Sequence, residues 1–277
     1  MLEEVGHAQW VFVMPKMLRP YFLHHRGLLG GLSRAAWETV RELMVAATGE
    51  ERLRPGMVAV VQTAGDLANW HPHVHALVSR GGWTRDWQWV PVAYVDESAA
   101  ELLYRHKVMR MLQEEGLLAE ERTELLLSWR HTGFSVHNRV RVEPEDQPAV
   151  ERLARYIMRP PISLERIRWS GEGEVFYQPK GGHDGRARQP GDVAEAFDPA
   201  DFLARVIMHI PEPRRHLVRY YGAYSNVSRG KRRRHDEVTI GAAPRDIEHA
   251  TLVQAGRDHS PEARALRRSW AQLIKRV

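Results

Sequence analysis

Two β-rich runs, MVAVVQT at 57–63 and HPHVHALVS at 71–79, flank the short connector GDLAN, and this pair limits the possible folds more than any other stretch. MVAVVQT is apolar at both odd and even positions, so both faces of its strand are covered and it belongs inside a sheet. The second run alternates. Val74, Ala76 and Val78 point to one side and His71, His73 and His75 to the other, because residues two apart in a strand share a face. A chain holding both runs builds a sheet with its aliphatic side against a core, and the histidine side is left for chemistry. If the two strands are antiparallel neighbours, Gln62 falls beside the histidines.

The rest of the chain supplies partners for that sheet. AQWVFVMP (8–15) has the aromatic and β-branched content of a strand. Ser33 is the expected cap of a helix in which Trp37, Val40, Leu43, Met44 and Ala47 recur at helical spacing, stopped by Gly49. A short WQWVPVAYV strand precedes helices at 98–115 and 118–129. FSVHNRVRV (134–142) alternates as a half-buried strand. Val150, Leu153, Ala154 and Ile157 mark a further helix, ended by Pro160 and Pro161. A hairpin follows at ERIRWSGEGEVFYQP, then a polar loop over 179–196, then helices at 199–209 and 213–225 on either side of Pro211. Only 261–276 is again helical in pattern. Strands dispersed among helices, with hairpin-like neighbours, predict an α+β fold on a central antiparallel sheet. The predicted division is a domain over 1–228 and a basic tail with a short helix over 229–277.

A chain of 277 residues with 43% hydrophobic side chains can bury a sizeable core, which excludes a disordered polymer. With no cysteine, disulfides, thiolate zinc sites and cysteine nucleophiles are excluded. No apolar stretch reaches membrane-span length. MLEEVGHAQW has no basic region followed by an apolar one, so no signal peptide is expected and the cytoplasm is the default location. The net charge of +5 favours a polyanionic partner. It is densest in SRGKRRRH (228–235), with smaller clusters at HHRG (24–27) and RARQP (186–190); a solvated face is the alternative reading of the first.

Neighbouring histidines on the strand are about 7 Å apart at Cα and the outer two about 13 Å, so one metal ion takes a pair and not all three. Pro72 places an edge or strand start near His71, which makes His73 and His75 the expected ligands. Two nitrogens do not hold an ion firmly, and Gln62 is the expected third ligand, with Asp66 and Asn69 as competitors. A second group lies in HLVRYYGAYSN (216–226). On a helix, Tyr220 and Tyr224 share a face one turn apart and Tyr221 points away. Aromatic packing is the plainer reading, but Gly222 weakens a helix and Arg214, Arg215 and Arg219 gather cations there. A divalent ion on the histidines could polarise a phosphodiester for attack by a phenol.

HPHVHALV resembles the His-hydrophobe-His motif of the HUH endonucleases, which cut and join single-stranded DNA. With YYGAYSN, taken as a Tyr-x-x-x-Tyr signature, the chain resembles the two-tyrosine transposases of the insertion-sequence-91 type. FVMPKMLRPYF, VVQTAGD and YIMRPPISLERI extend the resemblance over about residues 8–235. It implies an antiparallel sheet with a tyrosine helix across the site, His73 and His75 as ligands of Mg²⁺ or Mn²⁺, and Tyr220 and Tyr224 as nucleophiles. The implied activity is rolling-circle-type transposition through a phosphotyrosine intermediate, on single-stranded transposon ends. The basic residues Arg219, Lys231, Arg232, Arg233 and Arg234 are the expected DNA contacts. Full-length members resemble a catalytic domain flanked by cysteine-rich zinc modules, so a truncated copy, a fragment or a minimal lineage is expected. The competing readings are a non-catalytic remnant that only binds single-stranded DNA, and a structural protein with incidental histidines.

Overall fold

The computed structural model describes residues 2–129, 131–171, 173–179 and 194–239. The predicted helix at 261–276, the cluster at 186–190 and most of the loop at 179–196 lie outside the described residues. In chain order the elements are β1 (His7–Val13), α1 (Arg19–His24), α2 (Leu29–Thr48), β2 (Arg54–Ala64), β3 (Trp70–Trp83), β4 (Trp89–Pro91), α3 (Glu97–Glu114) and α4 (Glu120–Ser128). There follow β5 (Ser135–Val142), α5 (Gln147–Ile157), β6 (Ile167–Trp169), β7 (Val175–Tyr177), β8 (Glu195–Phe197), α6 (Pro199–Ile207), β9 (Val218–Gly222) and α7 (Asn226–Thr239).

The expected α+β fold on an antiparallel sheet is present. The main sheet runs β5-β1-β3-β2-β9, with β4 pairing the end of β3; β6, β7 and β8 form a small second sheet. Every pairing in the main sheet is antiparallel. The register sets Val60 and Val11 on either side of His75, and Gln62 beside His73, so MVAVVQT is internal, as its two apolar faces require. Trp10, Phe12, Ala59, Val61, Val74, Ala76 and Val78 form the aliphatic side and pack with Ala36, Val40 and Leu43 of α2 and Leu103 and Val108 of α3. On the opposite side, Val150, Leu153 and Ile157 of α5 cover Val60, Leu77 and Val142. Each apolar side chain of this size contributes about 1.5–3 kcal/mol when buried, so α5 is held firmly against the histidine face.

Three local expectations are corrected. The segment at 213–225 is not a helix: its centre is β9, pairing Gly56–Val60 of β2. Alternation explains why, since Tyr221 turns to the α2 side and stacks on Trp37 while Tyr220 turns to the other. Gly222 closes the strand at φ 56°, where a Cβ would meet the Pro55 carbonyl oxygen at 1.9 Å. Second, α2 starts at Leu29, and Ser33 is buried inside it rather than capping it. Third, β3 extends beyond the run at 71–79, through Gly81 and Gly82 to Trp83, where β4 and β2 approach too closely for any side chain. Residue 228 falls inside α7, which follows β9 after a short turn with Ser225 accepting from Ser228 N.

Candidate functional site

His71, His73 and His75 lie on the sheet face that α5 covers, and the sheet fixes their ring orientations. His73 Nδ1 donates to the His71 carbonyl oxygen at 2.7 Å, which turns Nε2 of His73 toward His75. The two Nε2 atoms are 3.1 Å apart. Behind His75, which is buried, Gln9 Nε2 donates to Nδ1 at 3.2 Å. His71 belongs to a different environment: burial, with smaller contributions from His73 and Arg19, lowers its pKa to about 3, so it is neutral at ordinary pH. The His71 ring also lies near His73, with centroids 5.1 Å apart, but the Nε2 of His73 faces His75.

Gln62 sits where the sequence places it, opposite His73 on β2. Its amide nitrogen donates to the Ile157 carbonyl oxygen at 2.6 Å, tying the end of α5 to the histidine row. The amide oxygen remains as a donor atom toward a cation. Asp66 and Asn69 stay in the β2–β3 turn, where Arg166 donates to the Asp66 carbonyl oxygen and the Asn69 side chain lies over Gly65. Among the described residues no three His, Cys, Asp or Glu side chains converge, so a third ligand drawn from those residues would be an amide or a main-chain oxygen, with water or substrate completing the set. Two imidazoles with an amide oxygen suit a divalent ion that keeps part of its water shell. An ion needs the lone pair of both Nε2 atoms. His73 has it already; His75 has it when its Nδ1 carries the proton and the Gln9 amide turns its oxygen inward.

The tyrosine against the histidine pair is Tyr156. It stands on α5, and its ring meets His75 edge-on with centroids 5.8 Å apart. Arg159, two residues past the end of α5, places its guanidinium 4.2 Å from the centre of the Tyr156 ring. Asp146 caps α5 by accepting from Ala149 N, and Pro160 and Pro161 follow its end, so the helix presents Tyr156 from a fixed frame. The sequence alone does not single out Tyr156, although it follows Leu153 by three and thus falls on the apolar stripe facing the sheet.

Tyr220 and Tyr224 are placed differently from expectation. Tyr220 is 39% exposed on the histidine face, two strands from β3 and one residue pair along, about 10 Å across and about 7 Å down. Arg229 lies over its ring. Tyr224 is buried, and its phenol donates to His7 Nε2 at 2.6 Å. Burial, then Glu3, pushes its pKa up, while burial lowers that of His7 to about 4, so both groups are neutral. His7 lies four residues along β1 from the partner of His75, about 13 Å by strand rise. The two phenols therefore share no helix face.

Of the expected DNA contacts, Arg219 turns toward Gly30 of α2 and Lys231 is exposed. Arg232 pairs with Glu3 and lies over both Trp83 and Trp87. Arg233 and Arg234 belong to α7, and their side chains lie outside the described residues.

A family model described as "Y2_Tnp: Putative transposase" matches residues 56–232, from β2 through the histidine strand and α5 into α7. The chain belongs to the Y2_Tnp family. Among curated proteins, it is 28% identical over 233 residues to "Transposase for insertion sequence element IS801" of Pseudomonas savastanoi pv. phaseolicola, covering 78% of this chain and 53% of that protein. It is 25% identical over 244 residues to "Putative transposase y4qJ" of Sinorhizobium fredii (strain NBRC 101917 / NGR234), covering 81% and 60%. The chain thus spans little more than half the length of these relatives. No solved structure matches it. Among the described residues of this Y2_Tnp member, no helix is long and apolar enough to cross a membrane.

Proposed function

We propose that this domain nicks and rejoins single-stranded DNA, with Tyr156 as nucleophile, as the chemical core of a rolling-circle-type transposase. The observation that carries the reading is the contact of Tyr156 with His75 on the one sheet face where two imidazole nitrogens converge. Family membership and the transposase relatives support DNA as the substrate, and the resemblance to His-hydrophobe-His nucleases supports a single strand.

The Tyr156 oxygen attacks phosphorus as the bond to the 3′-oxygen breaks. The phenol gives up its proton and the departing 3′-hydroxyl takes one up, so a phosphotyrosine ester replaces a phosphodiester with no net change in protons or electrons. A 3′-hydroxyl attacking that ester reverses the step and joins a strand. Arg159, over the Tyr156 ring, places positive charge where the attacking oxygen and the phosphate become more negative. α5 orients the phenol, and Gln62 keeps α5 at the histidine row. His73 and His75, with the Gln62 side chain beside them, would hold Mg²⁺ or Mn²⁺, which supplies Lewis-acid stabilisation of phosphate charge.

Tyr220 is the second candidate phenol, because it is exposed on the same face. Tyr224 reaches the site only by giving up His7. Incubation with a labelled single strand and Mn²⁺ should yield an adduct that survives denaturant. No adduct, with salt-sensitive binding intact, would instead indicate a DNA-binding remnant.

A further inference from the structure

The sheet edge next to the histidine pair is open. β9 pairs β2 only as far as Val60, with one more bond from Val61 N to the Leu217 carbonyl oxygen. Beyond it, the edge at Gln62 and Thr63 borders a cavity of about 620 Å³, also bounded by the start of α2, the residues after α5 and the chain between α6 and β9. That volume falls in the range of about 300–1,000 Å³ typical of small-molecule sites. Its rim is apolar and uncovered: Met158 is 58% exposed, Ile210 58% and Leu217 42%. An apolar rim of this kind marks a surface that something covers.

Cations surround it. Arg26, Arg159, Arg215 and Arg219 all line the cavity, and among the described residues only Arg215 of these has an ion pair, with Glu212. The Nε atoms of Arg159 and Arg219 are buried without a hydrogen-bond partner. A buried donor left unpaired costs about 1–3 kcal/mol, which an arriving acceptor would offset. The rear wall is rigid. Trp70 donates to the Arg19 carbonyl oxygen and stacks on His209, which is held between Thr63 Oγ1 and the Ala68 carbonyl oxygen.

We infer that this cavity takes one unstacked nucleotide of the DNA strand, its base between the apolar walls and its phosphate on the arginines without an ion pair, immediately beside the phosphate that is cut. This rests on the nuclease reading for the location of the cut. Gln62 lines the cavity and lies beside His73, and Arg159 both lines it and covers Tyr156. A strand whose phosphate sits at Tyr156 therefore reaches the cavity with its next nucleotide. A base supplies the flat apolar faces and edge hydrogen-bonding groups that fit an apolar slot beside an open strand edge; a polyphosphate or a peptide supplies only part of this set.

The test compares a mixed-sequence single strand with a strand of equal length whose bases have all been removed, so that backbone charge is constant. Binding is measured without divalent metal on Tyr156→Phe, which separates it from chemistry. The base-free strand should bind about ten- to a hundredfold more weakly, the range of one or two buried base contacts. Met158→Gln/Leu217→Gln, which alters two exposed rim residues and no charge, should remove most of that difference. Equal binding of both strands, or an undiminished difference in the double variant, overturns the inference. On unaltered protein, a strand carrying 4-thiothymidine should crosslink within 158–162 or 210–217; crosslinks confined elsewhere also overturn it. A concentration-dependent dimer abolished by the double variant would give the cavity to a second copy instead. Adduct formation with metal is read separately. An adduct without a base preference sinks the cavity and leaves the nuclease, and the converse sinks the nuclease alone.

Discussion

His73 is oriented by a main-chain atom and His75 by a side chain, and the difference can be tested. The His71 carbonyl that accepts from His73 survives any change of the His71 side chain, so His71→Ala should keep Mn²⁺ affinity and adduct yield close to the parent protein. Gln9 holds His75 through its amide, and Gln9→Leu should weaken Mn²⁺ binding about 10–100-fold, as loss of a partner behind a ligand does. Titration calorimetry with Mn²⁺ reads both. A loss in His71→Ala as large as in His75→Ala would mean that the pair is His71 and His73. The shared face was legible in the sequence, from the alternation at 71–75, and Pro72 is the ground on which His71 is expected to stand apart. The Gln9 contact was not, because it joins strands 66 residues apart and depends on register.

The elements that misled are those where local pattern and tertiary demand diverge. HLVRYYGAYSN has helical spacing of tyrosines, yet β2 has an open edge, and a β-rich run fills it. The two assignments predict opposite signs for one substitution. In a helix, Gly222→Ala would stabilise by about 1 kcal/mol. In β9 it places a Cβ against the Pro55 carbonyl oxygen at φ 56°, and should cost about 1–3 kcal/mol and lower the melting temperature. A raised melting temperature would remove β9. The site suffered likewise: Tyr156 was inside a correctly placed helix, but the contact of α5 with β3 is long-range, and nothing in the segment's own pattern points to His75.

For the molecule as a whole, the basic segment after β9 is not one uniform surface. Arg232 is engaged by Glu3 and two tryptophans, whereas Lys231 is exposed. Lys231→Gln should weaken binding to all single strands alike and reduce the salt slope by about 1. Arg232→Gln should mainly lower the melting temperature, because it loosens the N-terminal residues from the Trp83 cluster. Equal effects of the two on the salt slope would show that Arg232 leaves Glu3 for DNA. On the proposed reading, sheet, histidine row, α5 and cavity form one continuous track, with the His73/His75 pair, the Tyr156 phenol and the proposed base slot side by side.

That track depends on which phenol acts. Mass mapping of the denaturant-resistant peptide–DNA adduct, formed with Mn²⁺ on a labelled single strand, reads this directly. The phosphotyrosine should lie in the α5 peptide at Tyr156, vanish in Tyr156→Phe and persist in Tyr220→Phe and Tyr224→Phe. A phosphotyrosine at Tyr220 or Tyr224, or an undiminished adduct in Tyr156→Phe, would contradict the assignment.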